Sequence, residues 1–90
     1  MSAAKFPLGR LVATPNALES IPGDEMLAAL RQHTLGDWGQ MTVHDWEANE
    51  LALTDGSRLF SVYRTRAGLK FWIITDADRS ATTVLLPEDY

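Results

Sequence analysis

Ninety residues, 46% of them apolar, can build one small hydrophobic core and leave no room for a second. The absence of cysteine excludes disulfides and thiolate metal centres and fits a reducing compartment. Twelve acids against eight bases give a net charge of −4, which weighs against a general nucleic-acid binder, and no apolar run approaches membrane-spanning length. A single globular domain over residues 1–90 is expected, soluble and cytoplasmic, with no apolar leader in its opening residues.

Residues 8–14 (LGRLVAT) are short, β-leaning and stopped by Pro15, which predicts a first strand at a sheet edge. Thr14 suits an N-cap with Pro15 in the first helical position, opening a short helix to about Ile21 that Pro22-Gly23 breaks. Asp24 can cap a second helix over 25–34, where Met26, Leu27, Leu30 and His33 or Thr34 recur at helical spacing. Residues 35–40 then make a turn with Trp38 between two glycines. An indole there plugs the core edge or lies at a binding surface, and the cost of leaving it wet favours the plug. Thr42 with Asp45 has the form of a capping box and opens a third helix to about Thr54, ended by Asp55-Gly56. Its apolar residues fall on two stripes, Val43, Trp46 and Leu53 on one and Ala48, Leu51 and Ala52 on the other. One stripe packs on a sheet; the second needs another helix or another molecule.

From Arg58 onwards the pattern changes. Residues 59–63 and 69–74 are dense in β-branched and aromatic side chains and are joined through Gly68, a natural left-handed turn residue. A third run over 82–86 follows the polar break at 76–80. These predict a three-stranded antiparallel meander. With the first strand and the helices packed on one face, the fold class is α+β.

Charge divides the chain in the same place. Residues 16–57 hold eight acids against Arg31 alone, whereas residues 58–79 hold five bases against Asp76 and Asp78. Attraction between the two halves accounts for this division, and an acidic face presented to a basic partner is the sharper reading. Specific chemistry is thin. His33 and His44 sit on different predicted helices with no spacing that converges on a metal, and each reads as a structural or surface histidine. Asp76-Ala77-Asp78 reads as a turn whose carboxylates bond nearby amides, with Arg79 neutralising them, rather than as a cation site. No serine lies in a nucleophile elbow, and the glycines form neither a phosphate loop nor a dinucleotide fingerprint, so no cofactor is expected. Arg64, Arg66 and Lys70 surround the predicted hairpin tip near Tyr63 and Trp72. Such a group can hold single-stranded nucleic acid, although a solvated hairpin end that protects the sheet is the simpler account.

Several segments together carry a family likeness: FPLGRLVATPNAL from Phe6, GDWG from Gly36, Asp45-Trp46 with Asn49 and Ala52-Leu53, RLFS from Arg58 with Tyr63, and WIITDADRSATTVLLPEDY from Trp72. Across nearly all its length the chain resembles a family of small bacterial proteins associated with plasmids and other mobile elements. Some members bear the description type I restriction-modification M subunit. This chain has no Asn-Pro-Pro-Tyr-like tetrapeptide and is too short for a methyltransferase fold. The resemblance implies a mobile-element setting and supplies no catalytic residues. In order of elements the chain is also similar to RelE/ParE-type toxins, for which Arg64, Lys70 and Tyr90 are residue types used on RNA.

A small non-enzymatic protein that binds another protein is therefore expected. Its contact surface is placed on the third helix and the loop before it: Trp38, His44, Asp45, Trp46, Asn49 and Glu50. Trp46 would anchor, the carboxylates would orient the encounter, and Asn49 would hydrogen-bond beside the anchor. In its sharpest form this is a mobile-element inhibitor offering an acidic face to a nucleic-acid-binding host defence enzyme. The alternatives are a toxin-like protein acting on RNA or a protein target, and a self-associating structural protein using the first strand or the second stripe of the third helix.

Overall fold

The computed structural model describes residues 3–90; Met1 and Ser2, part of the expected 1–90 domain, lie outside them. Strands β2 (Leu59–Arg64), β3 (Lys70–Thr75) and β4 (Ala81–Leu85) form the expected antiparallel meander. The first turn closes with Gly68 at φ +92°. Strand β1 (Arg10–Ala13) pairs in parallel with β4, so the sheet is mixed, four strands wide, in the order β1-β4-β3-β2. A parallel neighbour requires a long crossover, which the helices and the meander together supply.

Helix α1 (Pro15–Ser20) starts as its sequence dictates, with the Thr14 hydroxyl accepting from the Ala17 amide and Pro15 in the first turn. Helix α2 (Gly23–Thr34) begins two residues earlier than its spacing predicts and has no side-chain cap; Asp24 lies within its first turn instead. At its other end Gly36, at φ +82°, lets the Gly36 and Asp37 amides bond back to the His33 and Gln32 carbonyls. This reversal swings Trp38 back beneath the helix layer. Helix α3 (Val43–Asp55) is opened by the Thr42 hydroxyl on the Asp45 amide and closed by Gly56 at φ +78°. A 3-10 turn (Pro87–Asp89), not anticipated from sequence, follows β4, and Asp89 takes hydrogen bonds from Thr14 and Asn16.

Side chains alternate across the sheet and divide the molecule into two unequal faces. One face carries Tyr63, Phe71, Ile73, Val84 and Leu86, which form the main core with Ala17 and Ile21 from the α1 end and Ala29 and Leu30 of α2. Beside it a smaller cluster joins Phe6, Trp38, Ala52 and Leu59, with Trp46 and Leu53 packed against it. Helix α3 therefore turns Trp46, Asn49, Ala52 and Leu53 inward. Its two expected stripes are redrawn: Ala52 joins the inward side, while Val43 and Leu51 remain 75% and 68% exposed. Among the described residues no helix is long and apolar enough to cross a membrane.

Candidate functional site

Among the described residues no α-helix lies over the other face of the sheet, where only the 3-10 turn and Tyr90 pack against β3. Phe60, Val62, Trp72, Ile74, Thr83 and Leu85 occupy neighbouring positions in the strand register there, and none belongs to either core cluster. Phe60 and Trp72 meet with ring centroids 5.0 Å apart, and Tyr90 sets its edge on Trp72 at 5.6 Å. The Arg58 guanidinium lies 5.9 Å from the centre of the Tyr90 ring. Between them a small cleft of about 220 Å³ opens over Ile74, Thr83 and Leu85, with Asp76 at one end. Tyr90 itself is 68% exposed, so it only partly shields this face.

The strand register also places charge. Arg64 pairs with Lys70 at the hairpin end of the face. At the opposite end lie Arg10, the first residue of β1 and paired with Ala81, and Arg58, which directly precedes β2. The acids of the helical half lie in the other layer or along α3, so the division seen in the sequence becomes a division between surfaces.

Helix α3 flanks the β2 edge instead of lying on the sheet. The Asn49 amide is the reason: it donates to the Phe60 carbonyl at 2.6 Å and accepts from the Phe60 amide at 3.0 Å, standing in for a neighbouring strand. Farther along the same edge the Trp38 carbonyl and Gln40 amide bond both groups of Val62. Gly39 lies between them at φ +82°, where any Cβ would fall on the Val62 carbonyl. The β2 edge is thus closed against strand addition. Along the seam runs a groove of about 610 Å³, with Asp45, Ala48, Leu51 and Asp55 of α3 on one wall and Ser57, Arg58 and Phe60 on the other. An acidic wall consequently borders the apolar sheet face.

These placements sort the residues expected to bind. Trp38 is fully buried, stacked 6.0 Å from Phe6 and edge-on to His33, with its indole N–H donating to Glu50 at 3.3 Å. It plugs the core and offers no contact surface. Asn49, 5% exposed, is committed to the β2 edge and not to a partner, and Trp46 is half-buried against the smaller cluster. His44, Asp45 and Glu50 are exposed, but Asp45 lines the groove while Glu50 turns toward Trp38. Of the basic group, Arg66 is tied at its backbone amide to Glu25, and Arg64 donates to Gln40 and the Gly68 carbonyl. Tyr63 lies on the covered face, its hydroxyl donating to the Asp37 carbonyl and its pKa pushed up by burial. The three groups shared with the toxins do not gather at one point either: Tyr90 leans toward Arg58, while Arg64 and Lys70 close the other end.

Arg79 also departs from expectation. At φ +62° it points its guanidinium at the Ser57 and Ala52 carbonyls, 2.6 and 2.9 Å away, joining the last hairpin to the end of α3. The turn carboxylates are held otherwise: Asp78 accepts from the Ser80 amide, and its pKa is lowered by its hydrogen bonds with Ser80.

A serine–histidine pair, which no spacing in the sequence announces, lies under the helices. His33 Nδ1 is 2.5 Å from Ser61 Oγ and Nε2 is 2.8 Å from Thr75 Oγ1; Thr75 meets Thr82 at 2.7 Å, and Thr82 donates to the Leu8 carbonyl. The end of this chain sets its direction. Because the Leu8 carbonyl can only accept, Thr82 must accept from Thr75, and Thr75 from the Nε2 proton; in the neutral ring Nδ1 then accepts from Ser61. The ring is neutral near pH 7 because burial, and secondarily Arg79, lower the His33 pKa to about 4. All four side chains are fully buried, so the pair has the atoms of a nucleophile and base without access to a substrate. No cluster of metal-ligating side chains occurs among the described residues. Comparison with protein-family models, curated proteins and solved structures gives no match.

Proposed function

We propose that this chain is a small non-enzymatic protein that works by contact with another protein, through the surface that runs from the outer wall of α3 across the groove onto the uncovered sheet face. The observation that carries this reading is the second face of the sheet. Phe60, Val62 and Trp72 are left half-buried and contiguous, outside both cores, where a monomer's solvent face would alternate to polar residues. The acidic wall beside it would orient an approaching partner that carries basic groups, and aromatic anchors in the middle would supply the affinity. In the mobile-element setting implied by the family likeness, such a protein acts as a regulator by occupying a partner's surface.

Trp72→Asp and Leu51→Asp, made separately, test this. Both positions lie outside the cores, so the variants are expected to keep the wild-type circular dichroism spectrum while losing protein contacts that the wild type makes in cross-linking. Leu18→Asp, an exposed position on α1, serves as the control and is expected to change nothing. Contacts that survive both surface substitutions would remove this surface from the function.

A further inference from the structure

Among the described residues two surfaces are left without a helix over them, and they are opposite in charge. The sheet face is apolar through its middle, with Arg64 and Lys70 at one end and, at the other, Arg10 and Arg58 outnumbering Asp76. The outer side of α3 carries Leu51, 68% exposed, and Ala48, among Asp45, Glu47 and Asp55, and the helix has no lysine or arginine. They also match in length. A helix of 13 residues spans about 20 Å, close to the roughly 17–20 Å of a six-residue strand. They share a border, because α3 flanks β2 and forms one wall of the groove whose other wall is Arg58 and Phe60.

From this juxtaposition we infer that the partner of the uncovered sheet face is a second copy of this chain, with each copy's α3 lying across the other's Phe60–Trp72 face. The inference rests on the binding surface proposed above and names its occupant. Adjacency makes the arrangement reciprocal: with a two-fold axis through the groove, the helix of each copy covers the sheet of the other, and the contact closes on itself. Complementary charges then meet twice, acidic helix on basic strand ends, and set the register. Leu51 is the apolar knob of the helix, and Trp72 with Phe60 forms the surface it meets. A stable pair needs about 800 Å² from each partner, a modest fraction of the 5439 Å² surface of one chain. A single-stranded nucleic acid is the competing occupant, since it too would use aromatics and arginines. The half-buried aliphatic Val62 and the acidic wall alongside favour a protein.

The test is a charge exchange followed by light scattering and sedimentation. Wild-type protein is expected at twice the 10.0 kDa chain mass, dissociating as salt is raised. One variant carries Arg58→Glu with Arg64→Glu, and the other carries Glu47→Lys with Asp55→Lys. Each alone is expected to be monomeric, with association weakened about tenfold or more. Mixed in equal amounts they are expected to recover the dimer, because both half-contacts become complementary again; recovery also shows that both variants are folded. A wild type that stays monomeric at high concentration overturns the inference, as does a dimer indifferent to both charge reversals. Mass that climbs beyond two copies with concentration overturns the reciprocal arrangement. Retention of a labelled oligothymidine by wild-type monomer, lost in the Arg58/Arg64 variant, overturns it in favour of nucleic acid. A monomer whose contacts with some other protein still depend on Trp72 and Leu51 defeats this inference and leaves the binding surface standing.

Discussion

The two faces of the sheet reverse the usual assignment of polar and apolar residues. Beneath the helices, where hydrocarbon is expected, lie Ser61, Thr75, Thr82 and His33, all fully buried. On the face without helices lie Phe60, Val62 and Trp72, half-buried, beside Ile74 and Leu85, which are already buried. The polar set is tolerable because each member is satisfied; among the described residues no buried side-chain nitrogen or oxygen lacks a partner. A one-way chain from Ser61 to the Leu8 carbonyl ties α2 to three strands and to the segment before β1. Phe60, Val62 and Trp72 have no such internal account, and that is why they read as contact surface. Burial in this domain follows from what can be paired or covered, and polarity alone does not reveal which face is inside.

Substitutions on the two faces should therefore differ sharply. The largest effect is expected for His33→Ala, which opens a cavity and orphans Ser61 and Thr75; a loss of about 3–5 kcal/mol should appear in denaturant unfolding. Next comes acid. The folded His33 binds its proton at about 4, against 6.5 for the free side chain, so between those values the unfolded chain takes up more protons and stability falls as pH falls. The contribution is fully present above about 6.5 and on the order of 3 kcal/mol is lost by about pH 4. His33→Gln, which can bond both neighbours without titrating, should flatten urea midpoints across that window. Asp55, Asp78 and Asp89, whose pKa values are lowered chiefly by side-chain hydrogen bonds, add acid sensitivity of the same sign at lower pH.

At the edge that separates the faces, Asn49→Ala should cost about 1–2 kcal/mol by leaving both backbone groups of Phe60 without their partner. Amide exchange should quicken at Phe60 first. The smallest change is expected on the uncovered face itself, where Val62→Thr should shift the stability of the isolated chain by less than about 0.5 kcal/mol. A shift as large as that of Asn49→Ala would mean the face is core after all and would undo the contrast.

Much of the architecture could be read directly from residue order. The meander, its turn at Gly68, the caps at Thr14 and Thr42 and the stop at Gly56 all lie where local stereochemistry asks for them. The candidate site was less legible, for reasons that differ by residue. Trp38 and Trp46 look alike in sequence, but the reversal at Gly36 drives the first inward while the second stays at the margin. Asn49 looked like a contact because a solvent-facing amide and an edge-capping one are the same residue until the neighbouring strand is placed. His33 joins Ser61 and Thr75 from 28 and 42 residues away, a separation that no window can sense.

What the chain's order of residues decided alone is whatever depends on neighbours within one turn of helix or one strand: element type, caps, alternation, and the segregation of acid from base. What only tertiary packing decided is which side of that alternation was covered. Parallel docking of β1 on β4 leaves α1 and α2 over one face, the clamp of Asn49 holds α3 along the β2 edge, and the aromatic face is left without an α-helix. Alternation labels two faces but does not say which the helices will take, because the energy that chooses comes from contacts between residues far apart in the chain.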